Sequence, residues 1–487
     1  MSMQVSVSPD SAPLHGIGFQ NAEGLTRALN RGTNLLCPVC NAGESLLMHL
    51  IGQPGLPVIS TRVPRNGLLW ASIVIQLFWA AYCPGYSLLT HEQIVDITWK
   101  DDIQPLLQKR FTQATPEDLL KAHAYAYGGC LIQDIGYYPF GSHFFSDLTH
   151  YVRSGDFVVN LLRNSTNLNE YAFALGALAH YASDISAHPS VNRAVALSFP
   201  KLRAKYGDSV TYAQNPKSHM QVEFGFDLTQ VAKNRYTSDR YHDFIGFEVS
   251  TPVLERAVLD TYGISLADSL GSVDLAVGTF RRSVSHVIPQ MTRVALIAYR
   301  PELVRDIPNF SENKFLYNLS RSQYEKEWGK GYRKPGFGAR ALAFFLRIIP
   351  KVGPAKALAF KIPTPDTEDL YVRSVNRSVD KFRDLLHELQ KGHLALSNLD
   401  FDTANPPRAG EYPPADESYG RLINELVKHD LDNVHPDLRD NILSFYSHGP
   451  PTQKSSKERK QWCKTADALW TLNCNKINST TAKQVER

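Results

Sequence analysis

The sequence is poor in cysteine, has no apolar run of ordinary membrane-spanning length, and carries no large excess of either charge. Six cysteines in 487 residues argue against a disulfide scaffold. Cys37 and Cys40 form a CxxC, but no second CxxC or histidine pair follows at zinc-ribbon or zinc-finger spacing, so a thiolate metal site is not indicated. Cys83 sits in an apolar segment, Cys130 lies beyond it, and Cys463 and Cys474 are near enough in sequence to pair without being required to. Lys and Arg number 52 against 48 Asp and Glu. Residues 451–487 hold eight basic against three acidic residues and residues 1–66 hold four against three, which leaves 40 basic and 42 acidic in 67–450. A body of that balance does not resemble a basic nucleic-acid platform. With 43% hydrophobic and 21% charged residues, 29 Pro and 30 Gly, the composition excludes collagen-like, wholly disordered and polytopic membrane classes.

What is present changes character along the chain. Residues 1–61 mix Gly, Ser, Asn and Pro without a sustained apolar period and read as a poorly ordered extension. Residues 62–85 read as a signal-like segment: Arg62 and Arg65 precede an apolar stretch from Gly67 to Tyr82, interrupted only by Ser72 and Gln76, and Cys83-Pro84-Gly85 follows. A basic start, a short apolar run and small residues at its end are the parts of a secretory signal, and the run is short against the roughly 20 residues of a membrane span. Its place, well inside the chain, fits a true start nearer residue 63; an uncleaved anchor or a buried core helix are the other readings. A cleaved signal places the protein outside the cell or in a periplasm, and an uncleaved 67–82 anchors it to a membrane.

Beyond Gly85 the pattern is helical. Ile94–Leu107, Pro116–Tyr127, Leu168–Asp184, Ser218–Lys233 and Pro252–Tyr262 have helix-like apolar spacing, and strand pairs joined by Asn-Gly turns are lacking. The expected class is all-α. A Pro/Gly-rich stretch from Asn405 to Asp416 separates later helices, and Gly449-Pro450-Pro451 opens a basic tail, 449–487, expected to be solvated and flexible.

The segment His180-Tyr-Ala-Ser-Asp184-Ile-Ser-Ala-His188 repeats ligand-type residues every four positions. On a helix each such step turns by only about 40°, so the three share one face, and they span roughly 12 Å. One ion cannot hold both histidines at about 2 Å; two neighbouring ions can, with Asp184 reaching toward either. His219 and Glu223 repeat the spacing, a pair that alone is common on surfaces. Upstream stand Gln133-Asp134, Asp147-Leu-Thr149-His150-Tyr151 with His143 seven residues before His150, and Thr90-His91-Glu92.

The ordered series Thr90-His91, Asp134, Thr149-His150, His180-x3-Asp184, His188 and His219-x3-Glu223 resembles the zinc-dependent phospholipase C superfamily. That superfamily includes bacterial phosphatidylcholine-cleaving enzymes, the catalytic domain of glycosylphosphatidylinositol-specific phospholipase D and single-strand-specific zinc nucleases. The x3 gap from Asp184 to His188 is of the phospholipase D type, the other branches having a gap longer by two residues. The resemblance implies a multi-helix bundle over residues 86–305 and two to three zinc ions. One would be held by Asp134, His150, His180 and Asp184, a second by His188, His219 and Glu223, and a third by Tyr86, His91 and Asp184, with Tyr86 contributing main-chain atoms if cleavage after Gly85 exposes it. It further implies hydrolysis of a phospholipid phosphodiester by a metal-activated water, with Asp134 and Asp184 as catalytic carboxylates and Asp134 orienting the water. A nuclease-like enzyme of the same superfamily and a non-catalytic zinc-stabilised interaction protein are the alternatives.

Residues 306–448 are expected to form a further helical region. Within it, 336–363 mixes apolar stretches with Arg340, Arg347, Lys351 and Lys361 and no acid, a composition suited to peripheral contact with a lipid surface or to a pair of core or lid helices broken at Pro350. Arg373–Gln390 reads as an amphipathic helix. His387, His393, His429 and His435 lack ligand spacing and are read as surface or structural.

Overall fold

The computed structural model describes residues 88–233, 235, 236, 245–289, 292, 294–297, 360–451, 453 and 455–485, with side chains in the last helix described to residue 473. The N-terminal extension, the signal-like segment with Tyr86, and all of 336–363 except residues 360–363 lie outside them. Among the described residues the protein is all-α, the only extended pairing being an isolated antiparallel bridge between Asp400 and Asn405.

Chain order gives α1 (Leu88–Thr98), a π-helical turn (Trp99–Ile103), α2 (Gln104–Arg110), α3 (Pro116–Gly129), a 3-10 turn (Ile132–Tyr137), α4 (His143–Tyr151), α5 (Ser154–Asn164), α6 (Leu168–Ser198), α7 (Pro200–Tyr206) and α8 (Pro216–Ala232). There follow α9 (Thr251–Tyr262), α10 (Leu266–Leu270), α11 (Val273–Arg282), α12 (Pro365–Gln390), α13 (Pro413–Lys428), α14 (Pro436–Phe445) and α15 (Ser456–Val485). Local chemistry sets the starts. Before α3, Thr115 and Asp118 form a reciprocal capping box ahead of Pro116; Asn167 Oδ1 accepts from Glu170 N at the head of α6, and Asn215 Oδ1 from Ser218 N at the head of α8. Each satisfies a backbone donor that a helix start would otherwise leave unpaired.

Helix α6 is the axis of the molecule. It is buried on nearly every side, as a helix apolar around its whole circumference must be, and packs chiefly against α3 and α12. It runs through Pro189 to Ser198, past the end at Asp184 that the sequence suggests. Proline lacks the N–H of a helical bond and crowds the preceding turn, but Val191, Ala194 and Val195 beyond it are buried, and their burial offsets that cost. The approach of α3 to α6 needs glycine: a Cβ on Gly176 would lie 2.1 Å from Ala126 O and 2.7 Å from Cys130 N, and one on Gly129 would lie 1.8 Å from Phe173 O.

The C-terminal half joins the same bundle. The described part of 306–448 shares one core with 86–305, since Tyr371, Val375, Val379 and Phe382 of α12 belong to the same buried cluster as α6. Buried Glu368 of α12 pairs with Lys233 at 3.0 Å and Arg235 at 2.8 Å just beyond α8. The tail contains a long helix, α15, where solvated chain was expected. Thr465, Ala468, Leu469 and Leu472, spaced at helical intervals, are buried and dock α15 on α13; the surrounding Lys and Arg conceal that stripe in the composition. No helix among the described residues is long and apolar enough to cross a membrane.

Candidate metal centre

Five elements deliver the polar cluster at the heart of the bundle. Helix α1 brings His91, and its start is fixed to α8 because Asp227 accepts from Leu89 N at 2.9 Å and Thr90 Oγ1 at 2.8 Å. The 3-10 turn brings Asp134, α4 brings His150, α6 brings His180, Asp184 and His188, and α8 brings His219 and Glu223. All eight are buried, with exposures of 0–5%.

Asp184 is the hub. Its carboxylate oxygens lie 3.1 Å from His180 Nε2, 3.5 Å from His91 Nε2, 3.6 Å from His150 Nε2 and 3.7 Å from His188 Nε2. His150 Nε2 is also 3.4 Å from Asp134 Oδ1, and the His91 and His180 rings stack at 4.4 Å. Two ligand triplets result, His91/His180/Asp184 and Asp134/His150/His180, each with one atom per residue mutually within 4.8 Å. His219 Nδ1 stands 3.3 Å from Glu223 Oε1, and the His188 and His219 rings are 5.7 Å apart. The structure thus groups His91, Asp134, His150, His180 and Asp184 in those triplets and sets His188 by Asp184 and His219 by Glu223 as pairs; Tyr86 is not among the described residues.

Four of the five imidazoles have a polar group behind them. His150 Nδ1–H donates to Ser146 O at 2.8 Å, His180 Nδ1–H to Cys130 O at 2.9 Å, and His219 Nε2–H to Asn192 Oδ1 at 2.7 Å. His188 Nδ1 faces Asp402 Oδ1 at 3.0 Å. A neutral imidazole whose one nitrogen donates carries its lone pair on the other, so Nε2 of His150 and His180 and Nδ1 of His219 are the ligand atoms, while His188 presents Nε2 to Asp184 at 3.7 Å.

The fit to a cation follows from what these atoms lack. His180 Nε2, both oxygens of Asp184, His188 Nε2, His219 Nδ1, both oxygens of Glu223 and Asp134 Oδ1 are buried and make no hydrogen bond. Each such group costs about 1–3 kcal/mol when left unsatisfied, and all of them converge on one region. Imidazole with carboxylate, without thiolate or an all-oxygen cage, is a donor set suited to zinc.

The electrostatics agree. Burial by itself would raise the Asp184 carboxyl, but the imidazoles of His180, His188 and His91 outweigh it and hold it well below the usual carboxylate range. Burial opposes charge on His150 and His188 too, yet facing carboxylates lift both to about 9, with Asp134 and Asp184 acting on His150 and Asp184 and Asp402 on His188. Burial, aided by His188, pushes His219 down to about 3, and burial raises Glu223 well above its ordinary value. Without an ion the pocket compensates its carboxylates with imidazolium protons, which a bound cation would replace.

Sequence reasoning missed Asp402, Asn192 and Phe401. Asp402 is 2% exposed and its Oδ2 accepts from Tyr151 OH at 2.9 Å and from Tyr412 OH. Phe401 lies 5.2 Å from the His150 ring and 6.0 Å from that of His180. A lone Asp far downstream in a loop carries no spacing signal. Asn192, four residues after His188 on α6, continues the ligand-type period and was the one that could have been found.

Residues 90–270 match the family model described as zinc dependent phospholipase C. No curated protein and no solved structure matches the chain.

Proposed function

We propose that the protein, whose residues 90–270 match the zinc dependent phospholipase C family model, is a secreted zinc phosphodiesterase that cleaves phospholipid phosphodiester bonds. The observation carrying this reading is the convergence of four imidazoles on the buried Asp184 carboxylate, 3.1–3.7 Å away, within that domain. Two to three zinc ions would be held, by Asp134, His150, His180 and Asp184; by His188, His219 and Glu223; and by His91 with Asp184 and the main chain of Tyr86.

Zinc bound there supplies Lewis acidity toward a phosphoryl oxygen and acidifies water near neutral pH. The protein's own groups do the rest. Ser146 O, Cys130 O and Asn192 hold imidazole protons on the outer nitrogens, so the rings already face inward before an ion displaces any inner proton. Asp184, the shared carboxylate, fixes the spacing of the clusters on either side of it. Asp134 is the most accessible of the acids at 5% against 0% for Asp184 and 2% for Glu223, which suits it to accept a hydrogen bond from the attacking water and turn a lone pair toward phosphorus. Phe401 shields the histidines and keeps the dielectric low.

Lipid contact would come through 336–363. Residues 360–363, the described end of that segment, adjoin the helix that carries His219 and Glu223: Lys361 N donates to Gln221 O at 2.8 Å and Phe360 packs on Phe224 at 6.0 Å.

The test is turnover by the secreted protein on phosphatidylcholine and phosphatidylinositol vesicles and on single-stranded DNA, before and after chelation and zinc restoration. Chelator-sensitive lipid hydrolysis without DNA cleavage is expected. DNA cleavage alone would transfer the site to the nuclease branch, and zinc binding without turnover on any substrate would leave a zinc-stabilised interaction protein.

A further inference from the structure

The loop between α12 and α13 reaches into the metal centre from outside residues 90–270, and at its tip stands Asp402. The loop is tied to α4 and α6 and braced within itself. Phe401 N donates to His150 O at 3.2 Å, Asp402 N to Asp400 Oδ1 at 2.8 Å, and Asn192 Nδ2 to Asp402 O at 2.8 Å. The Asp402 side chain is equally constrained. Its Oδ2 receives the Tyr151 and Tyr412 hydroxyls, leaving Oδ1 against His188 Nδ1 at 3.0 Å.

One residue therefore addresses two imidazoles by separate routes. Its carboxylate lies against His188 Nδ1 at 3.0 Å as a charge contact, on the opposite side of the ring from Asp184. Its carbonyl fixes the Asn192 amide, whose Oδ1 then takes the proton of His219 Nε2 at 2.7 Å, so that Nδ1 of His219 is left beside Glu223. His150 and His180 are oriented instead by main-chain carbonyls on α4 and next to α3; the loop meets them through Phe401 and not through the Asp402 side chain.

We infer that Asp402 is a positioning residue that sets both histidines of the His188/His219/Glu223 cluster, making the ion held there dependent on a loop from the C-terminal half. The inference rests on the zinc reading of the centre. A carboxylate behind a ligating histidine orients the ring and raises its basicity, and removing such a partner typically weakens metal binding about 10- to 100-fold. Because the device acts on one cluster, the loss is confined to one ion.

The experiment is stepwise zinc titration of the metal-stripped full chain against a chromophoric chelator, for the wild type, Asp402→Asn, Asn192→Ala and Glu223→Gln. Asp402→Asn keeps the shape and an acceptor for His188, and the two tyrosine hydroxyls can turn to accept from the new amide, so the fold has little to lose. The expected result is a drop of about 10- to 100-fold in the affinity of the same ion that Glu223→Gln weakens, with the other ions unchanged. Asn192→Ala, which leaves the carboxylate in place, weakens that ion through His219 and serves if Asp402→Asn does not fold. Wild-type affinity at every ion, or equal weakening of all of them, overturns the inference. A wild type that binds no zinc at all would instead overturn the zinc reading itself.

Discussion

Replacing Gly176 by Ala tests whether the metal centre depends on the closeness of two helices. In the structure the new methyl would sit 2.1 Å from Ala126 O, where ordinary contact starts at 3.4 Å, so α3 and α6 must part by about 1.3 Å. His180 is four residues further along α6, and its Nδ1–H donates across the same interface to Cys130 O at 2.9 Å; a shift of that size puts the pair beyond hydrogen-bond reach. Overpacking of this kind costs about 1–3 kcal/mol, and the lost bond adds about 1 kcal/mol. At roughly 2–4 °C per kcal/mol for a large domain, the melting midpoint falls by roughly 4–16 °C. Helix propensity predicts the opposite sign, since Ala is favoured over Gly by about 1 kcal/mol in a helix interior. The assay is thermal unfolding of the zinc-stripped variant by circular dichroism, together with chelator competition for zinc. A midpoint at or above that of the wild type, with unaltered zinc affinity, would refute the packing argument and the dependence of His180 on it.

Three further outcomes follow from other parts of the structure. Asp184→Asn removes the one carboxylate shared by the clusters, so metal content should fall by more than one ion per chain and turnover by more than about 100-fold, measured by elemental analysis and a lipid assay. Leu472→Ala, at a fully buried position on α15, should cost about 2–5 kcal/mol in docking that helix, seen as early proteolysis of the tail while zinc content stays intact. Burial lifts the half-buried Asp416 carboxyl to about 6, against the pull of Gly410 N–H. A raised folded pKa contributes stability that is present below the unfolded value of 3.8 and lost as pH rises through about 6. Asp416→Asn should therefore unfold like the wild type at pH 4 and be more stable above pH 7, as urea titrations at both pH values would show.

The helices and most of the centre could be read from the sequence for one reason: period. His180, Asp184 and His188 at steps of four declare a shared face, and His219 with Glu223 repeats the step one helix later. Long-range pairing has no such signature. Asp402 stands 210 residues from Asn192, just ahead of the Pro/Gly-rich stretch Asn405–Asp416 that reads as a separator, and nothing local says that it turns back to His188. The end of α6 was hidden because Pro189 reads as a stop, while the buried residues after it are what carry the helix on. The docking of α15 was hidden for the converse reason. Its Lys and Arg dominate composition, and the narrow stripe of Ala468, Leu469 and Leu472 appears only when the period is followed through the charge.

The most direct measurement is the metal content of the folded full-length chain by plasma mass spectrometry, for the wild type and Asp184→Asn, after exchange into metal-free buffer. The account predicts two to three zinc per wild-type chain and a loss of more than one ion in the variant. A wild-type chain that folds with no bound zinc, and takes up none when zinc is added, would contradict it.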